Sequence, residues 1–388
     1  MKIEFYNSPQ PQSISDVKLP EAPEFINYQP DFALIKKYAA EYEKYENILI
    51  LAHGGSITTF LGLYFALKYQ AKKSAHFLST VDPDYIYDLK QKLKPQDTLV
   101  IAVSKSGETT TQMEMIMQFA DYPMLFITAK SSPLREVAER LKKPVVLHPP
   151  IGGRYTGMTE VALLPAGIAG LDVEALYEGA RNFYQLYNKD NLAWRAASVM
   201  WQLEQKGYVD VFMPFYARRL YPLGNLIVQL CHESFGKAGK GQTYFAHEAP
   251  ESQHHTNQRF FGGRKNIAGF FISSDSVLHP TVNIYPAAVH SAQIKGHHLA
   301  DINKIPLEKS LEFELQGTIE DAKIHSIPIA HLSIAGFTPE EIGGLVAFWQ
   351  LYAVYSSVLR DVNPFDQPQV ENSKNISFNK RLQYKGLL

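Results

Sequence analysis

At 388 residues the chain is long enough for two domains of ordinary size and a substantial core. A hydrophobic share of 45% and a charged share of 20% exclude a disordered protein. A formal net charge of −1 gives no electrostatic reason to expect nucleic acid as a partner, so any anion must be held by local geometry. In chain order, residues 1–45 begin proline-rich and then predict a helix over Phe32–Tyr45, which reads as a lead-in arm. Met1–Pro9 carries acidic and polar residues where a secretory signal needs a basic start and an apolar core. Cys231 is the only cysteine, so no internal disulfide can form, and a cytoplasmic location is expected.

A regular alternation follows over residues 46–180. Strand-like Asn47–Leu51 leads through His53-Gly-Gly-Ser56 into a helix from Thr58 to Tyr69. Strands are predicted at Ala75–Ser79, Thr98–Val103, Pro123–Thr128 and Val145–His148, with helices at Pro83–Leu93, after Gln112 and at Pro133–Leu141. Such alternation implies α/β architecture, a doubly wound parallel sheet with ligands at the carboxyl ends of its strands. Ser104-Lys-Ser-Gly-Glu-Thr-Thr-Thr-Gln112 lies at one such end. Unpaired N–H groups and the dipole of a helix N-terminus favour an anion there, Ser104, Ser106 and Thr109 offer hydroxyls, and Gly107 permits close approach. The G-x-x-x-x-G-K-[ST] spacing of nucleotide-hydrolysing loops is absent. An ordinary capped helix would use the same residue types. The pattern S-x-S-G-x-T resembles the phosphate loop of sugar isomerase (SIS) domains, and a second Gly-Ser turn at Gly55-Ser56 favours the anion site.

Beyond Ile151-Gly-Gly-Arg154-Tyr-Thr156 come an apolar helix, Thr159–Gly170, and a helical bridge, Val173–Lys206. A second α/β block over residues 181–360 has strands at Val209–Pro214, Asn266–Ser273 and Ile327–Ile334, with a helix at Leu223–Phe235. The two blocks share a plan, which suggests duplication. Gly343–Leu359 is apolar, but Gln350, Ser356 and Ser357 interrupt it, so it reads as a buried helix and not a membrane span. Residues 361–388 form a tail with the turn Val362-Asn-Pro-Phe-Asp-Gln-Pro368.

The second block also holds a dense polar stretch, His232-Glu233 and then His247-Glu248 through Glu251 to His254-His255. Proton transfer near neutral pH needs a carboxylate and an imidazole. These residues do not choose among Glu233, Glu248 and Glu251, nor among the histidines. Cysteine pairs and H-E-x-x-H are absent, so a metal site is not expected.

The motifs HGGSITTFLG (53–62), SKSGETTTQ (104–112), IGGRYT (151–156), ESFGK (233–237) and VNPFDQPQVENSK (362–374) resemble those of the glucose-6-phosphate isomerase family in its shorter bacterial form. They occur in the family's order and span about residues 47–375. The resemblance implies two SIS-type parallel-sheet domains with a C-terminal helical tail, a hexose phosphate substrate, and no cofactor. It further implies Glu233 as the base, His254 and Lys374 at ring opening, and Arg154 at the enediolate. Ser104, Lys105, Ser106 and Thr109 would hold the phosphate, with Gly55 and Ser56 lining the sugar. A homodimer is implied in which His254 reaches the partner's site. The run Pro250-Glu-Ser-Gln-His254 resembles bifunctional glucose/mannose-6-phosphate isomerases instead, which adds mannose 6-phosphate as an alternative substrate and keeps His255 as a rival for the histidine's role. Gln350, Gln369 and Ser373 depart from the bacterial pattern. A non-catalytic SIS-type phosphosugar regulator, which needs only the loop, is the remaining alternative.

Overall fold

A computed structural model describes residues 1–388. Its strands are β1 (Lys2–Tyr6), β2 (Asn47–Ala52), β3 (Ser74–Leu78), β4 (Thr98–Ser104), β5 (Met124–Thr128), β6 (Val145–Leu147), β7 (Asp210–Phe215), β8 (Thr243–Glu248), β9 (Ile267–Ser274), β10 (Gln293–Ile294), β11 (His297–His298) and β12 (Ile329–Ile334). One five-stranded sheet has the order β3-β2-β4-β5-β6, parallel throughout. The other runs β1-β12-β9-β7-β8, parallel except at β1. Numbered within their own blocks, the parallel strands follow the order 2-1-3-4-5 in the first sheet and 2-1-3-4 in the second. The shared plan expected from the sequence is therefore present. The stretch read as a lead-in arm supplies β1, which pairs antiparallel with β12 and takes the fifth place in the second sheet.

Alternate residues of the first sheet enter different cores. Ile48, Ile50, Leu99 and Ile101 join the main cluster, while Leu49, Leu51, Val100 and Ala102 face a separate one. This two-residue period explains why the strands read as continuous apolar runs, because both faces are covered. The main cluster also takes in one face of the second sheet, through Val211, Met213, Phe270 and Leu332, and so joins the two halves.

At its centre lies the helix Pro339–Leu359, buried almost along its length. It passes the length and composition test for a membrane span, yet it is held between the helices Val173–Tyr184 and Leu192–Gln205. Its apolar residues cover all sides because all sides meet protein. The bridge from Val173 to Lys206 is thus two helices, separated where Asn191 caps the second through its bond from the Trp194 N–H. The polar stretch around His247 contains β8, which sits at the edge of its sheet.

Candidate active site

In a 2-1-3-4 sheet the chain leaves the first and third strands in opposite directions and opens a crevice at their carboxyl ends. Here those strands are β2 and β4. The turn His53-Gly54-Gly55-Ser56 follows one, and the Ser104–Thr109 loop follows the other. Both sequence-selected turns therefore flank one crevice. Gln112, fully buried, closes its base by donating to the carbonyls of Leu51 at 3.0 Å and Val103 at 2.7 Å.

The loop is shaped by its own hydroxyls. Ser104 Oγ accepts from the Gly107 N–H at 3.1 Å, and Ser106 Oγ accepts from the Glu108 N–H at 3.3 Å. Gly107 has φ +66°, and a Cβ there would lie 2.7 Å from the Leu134 backbone nitrogen, so a side chain is excluded. Ser106 is exposed, and Thr109 stands at the N-cap of the helix Thr110–Gln118 without a side-chain capping bond. Both hydroxyls remain available to a ligand. Lys105 is turned aside, and its Nζ donates to the carbonyl of Pro150.

Gly55 serves another purpose. A Cβ on it would sit 2.1 Å from the carbonyl carbon of Gly153, so the helix Gly55–Ala66 and the loop before Arg154 meet backbone to backbone. That approach carries Arg154 into the interior, where it is 3% exposed. Its Nε donates to Ser234 Oγ at 2.9 Å, and its Nη1 donates to Glu233 Oε2 at 2.9 Å and Gln367 Oε1 at 2.8 Å. Its Nη2 donates to the carbonyls of Pro364 at 2.5 Å, Asp366 at 3.2 Å and Glu233 at 3.4 Å. An arginine has five N–H groups, so protein acceptors occupy them all. The residue is left with its charge and no spare donor.

Glu233 lies in the last turn of the helix Leu223–Phe235. Its second oxygen accepts from Gln229 Nε2 at 3.0 Å, one helical turn earlier, and Gln229 Oε1 accepts in turn from Thr58 at 3.1 Å. The carboxylate is thus fixed between a cation and an amide at the mouth of the crevice. Sequence reasoning missed Gln229, Ser234 and Gln367. Only the four-residue spacing of Gln229 from Glu233 was a usable signal.

Lys374 lies on the exposed tail helix Glu371–Tyr384 and pairs with Glu371 at 2.8 Å. Its charge acts on His53, whose pKa is lowered first by burial and then by this lysine. His53 Nε2 is also 3.0 Å from Thr111 Oγ1, in the first turn of the helix that the anion loop opens. The tail lysine therefore lies close enough to His53 for its charge to be felt there.

His254 is not brought to Glu233 within the chain. The Tyr244 N–H donates to His232 Nε2 at 2.9 Å, which sets Glu233 beside the start of β8. His254 follows the other end of β8 and is exposed. At about 3.3 Å per residue the strand and its turn separate them by on the order of 15 Å. His255 pairs with Glu251 at 3.0 Å, and Glu248 with Arg218 at 2.9 Å, at that same far end. No three His, Cys, Asp or Glu side chains gather in a form that could hold a metal ion.

A glucose-6-phosphate isomerase of Thermus thermophilus is 28% identical, over 90% of this chain and 86% of its own. The structure of a hypothetical protein from the same organism superposes with a TM-score of 0.84 at 27% identity, covering 92% of this chain and 89% of that one. The SIS-type fold extends further, to the C-terminal domain of glucosamine-fructose-6-phosphate aminotransferase from Francisella tularensis, with a TM-score of 0.54 at 15% identity, covering 86% and 89%. The sequence profile of the phosphoglucose isomerase family runs through both sheets, the Arg154–Glu233 pair and the tail, matching residues 38–385, and the chain belongs to that family.

Proposed function

We propose that the chain interconverts glucose 6-phosphate and fructose 6-phosphate. The observation that carries this is the Arg154–Glu233 pair set against the Gly55–Thr58 segment, which follows β2 beside the strand that leads into the Ser104–Thr109 loop. An aldose–ketose exchange moves one proton between C1 and C2 after the ring opens. Glu233, held by Gln229 and Arg154, takes the proton from C2 and returns it to C1. The cis-enediolate between the two steps carries negative charge, which the fixed guanidinium offsets without changing protonation. Ser104, Ser106 and Thr109 grip the phosphate remote from the chemistry, with Lys105 as a nearby charge, and convert binding energy into orientation. Gly55 and Ser56 border the sugar.

Ring opening needs an acid at the ring oxygen. In this reading it comes from His254 of the partner subunit, with Lys374 beside it. The separation of His254 from Glu233 within one chain supports a homodimer. So do the exposed apolar side chains of the tail, Val370, Ile376 and Phe378. Cys231, buried and free, suits a reducing compartment, and we place the enzyme in the cytoplasm.

A phosphosugar regulator needs the loop alone; the saturated Arg154, the fixed Glu233 and the tail favour catalysis. The test is a coupled assay in which fructose 6-phosphate yields glucose 6-phosphate. Binding without turnover returns the regulator reading.

A further inference from the structure

The tail helix Glu371–Tyr384 buries none of its side chains, so apolar packing does not fix its orientation. Charged contacts hold the tail at two points, one in the turn before this helix and one on the helix itself, each from a different half of the molecule. In the turn before the helix, Lys237 Nζ donates to the carbonyls of Asn363 at 2.7 Å and Asp366 at 2.6 Å, and to the Asp366 carboxylate at 2.6 Å. At the helix's downstream end, Arg381 Nε and Nη2 meet the two oxygens of Glu114 at 2.6 and 2.8 Å. This is the two-bond geometry in which a guanidinium fixes direction as well as distance. Arg381 Nη1 also donates to Ser377 Oγ at 2.7 Å, which stiffens the fork against its own helix.

Glu114 belongs to the helix Thr110–Gln118, the one opened by the anion loop. Lys374 and Arg381 are seven residues apart. At about 3.6 residues per turn they leave the same face of the tail helix, two turns apart. Fixing Arg381 on Glu114 therefore also fixes the direction in which Lys374 projects, on the side facing the helix Thr110–Gln118, whose Thr111 meets His53.

We propose that Arg381 and Glu114 form a latch that positions Lys374 over the sugar. Neither residue touches substrate; both act through Lys374, so the inference rests on the reading of Lys374 as a site residue. The pair lies at the surface, so its loss costs the fold little. Its effect is expected in kcat.

The test compares Arg381→Gln, Glu114→Gln, Lys374→Met and the double variant Lys374→Met/Arg381→Gln, measuring kcat, KM for fructose 6-phosphate, and inhibition by inorganic phosphate. Each latch variant is expected to lose about tenfold in kcat with KM and phosphate inhibition within about twofold of the parent, and Arg381→Gln is expected to cost nothing further in the Lys374→Met background. Parental kcat in Arg381→Gln, alongside an impaired Lys374→Met, overturns the latch and leaves the role of Lys374 standing. Parental kcat in Lys374→Met overturns the role itself. A full further loss in the double variant shows that Arg381 acts elsewhere, and also overturns the latch.

Discussion

Arg154 Nη1 and Glu233 Oε2 lie 2.9 Å apart, although 79 residues separate them and each comes from a different sheet's territory. The guanidinium is 3% exposed and the carboxylate 27% exposed, so solvent screens the pair weakly. This one contact joins the crevice of the first sheet to the helix Leu223–Phe235, and Gln367 adds the tail. The geometry is a junction of three chain segments.

Arg154→Lys tests the junction. A lysine keeps the charge but has three N–H donors for six acceptors, and it cannot reach them in one plane. Breaking such a network should cost about 3–5 kcal/mol of stability and at least about tenfold in kcat. Denaturant unfolding and the coupled assay read the two effects separately. A variant of parental stability would contradict the junction.

Complementation tests the shared site. Glu233→Gln and His254→Asn should each lower kcat by about 10²–10⁴-fold. Mixed and refolded together, they should recover about a quarter of parental activity, because half the dimers are mixed and one site in each is intact. A mixture no more active than its parts removes the partner's contribution.

Gly55→Ala places a Cβ against the Gly153 carbonyl and the Arg154 nitrogen, both backbone atoms. No side chain can swing away to make room, so the backbones must separate. The expected cost is about 1–3 kcal/mol, with loss of activity as Arg154 shifts. Thermal unfolding and kcat measured together check it; an unchanged Tm would mean the two loops have slack.

Ser106→Ala should raise KM for fructose 6-phosphate severalfold and leave kcat near parental, since in the proposed pose its exposed hydroxyl meets the phosphate and not the reacting carbons. Inhibition by inorganic phosphate should weaken in parallel. A fall in kcat with KM unchanged would place Ser106 at the chemistry instead.

Acid should destabilise the fold through His148. Its Nδ1 lies 2.7 Å from the Pro149 carbonyl, its Nε2 is buried without a partner, and burial lowers its pKa from 6.5 to about 4. The neutral ring is favoured in the folded chain, so its contribution is complete above about pH 6.5 and is lost as pH falls toward 4. The shift corresponds to about 3 kcal/mol over that window. His76, His232 and His331 are lowered by burial as well and should add to the slope. Denaturant midpoints between pH 7 and 4 should therefore fall less steeply in His148→Asn than in the parent.

Much of the fold was legible because its signals are local. Strands covered on both faces, such as Thr98–Ser104, must be apolar throughout, and the helix Leu223–Phe235 shows its ends in Pro222 and Gly236. The elements that escaped notice lack such signals. β1 is only five residues long and exists because it pairs with β12, more than 300 residues away. β8 is an edge strand whose exposed positions accept polar side chains, so it read as a polar stretch. The helix Leu307–Ile324 carries so many charges that its buried stripe, Leu315, Thr318, Ile319 and Ala322, is faint.

The site divides in the same way. The two turns at the carboxyl ends of β2 and β4 could be found from the chain alone, because glycine and small hydroxyl residues answer a local demand of the backbone. The partners of Arg154, the fixing of Glu233 by Gln229, and the hold of Arg381 on Glu114 could not. Each depends on where segments far apart in sequence come to rest, and only the burial of two sheets around one core determines that.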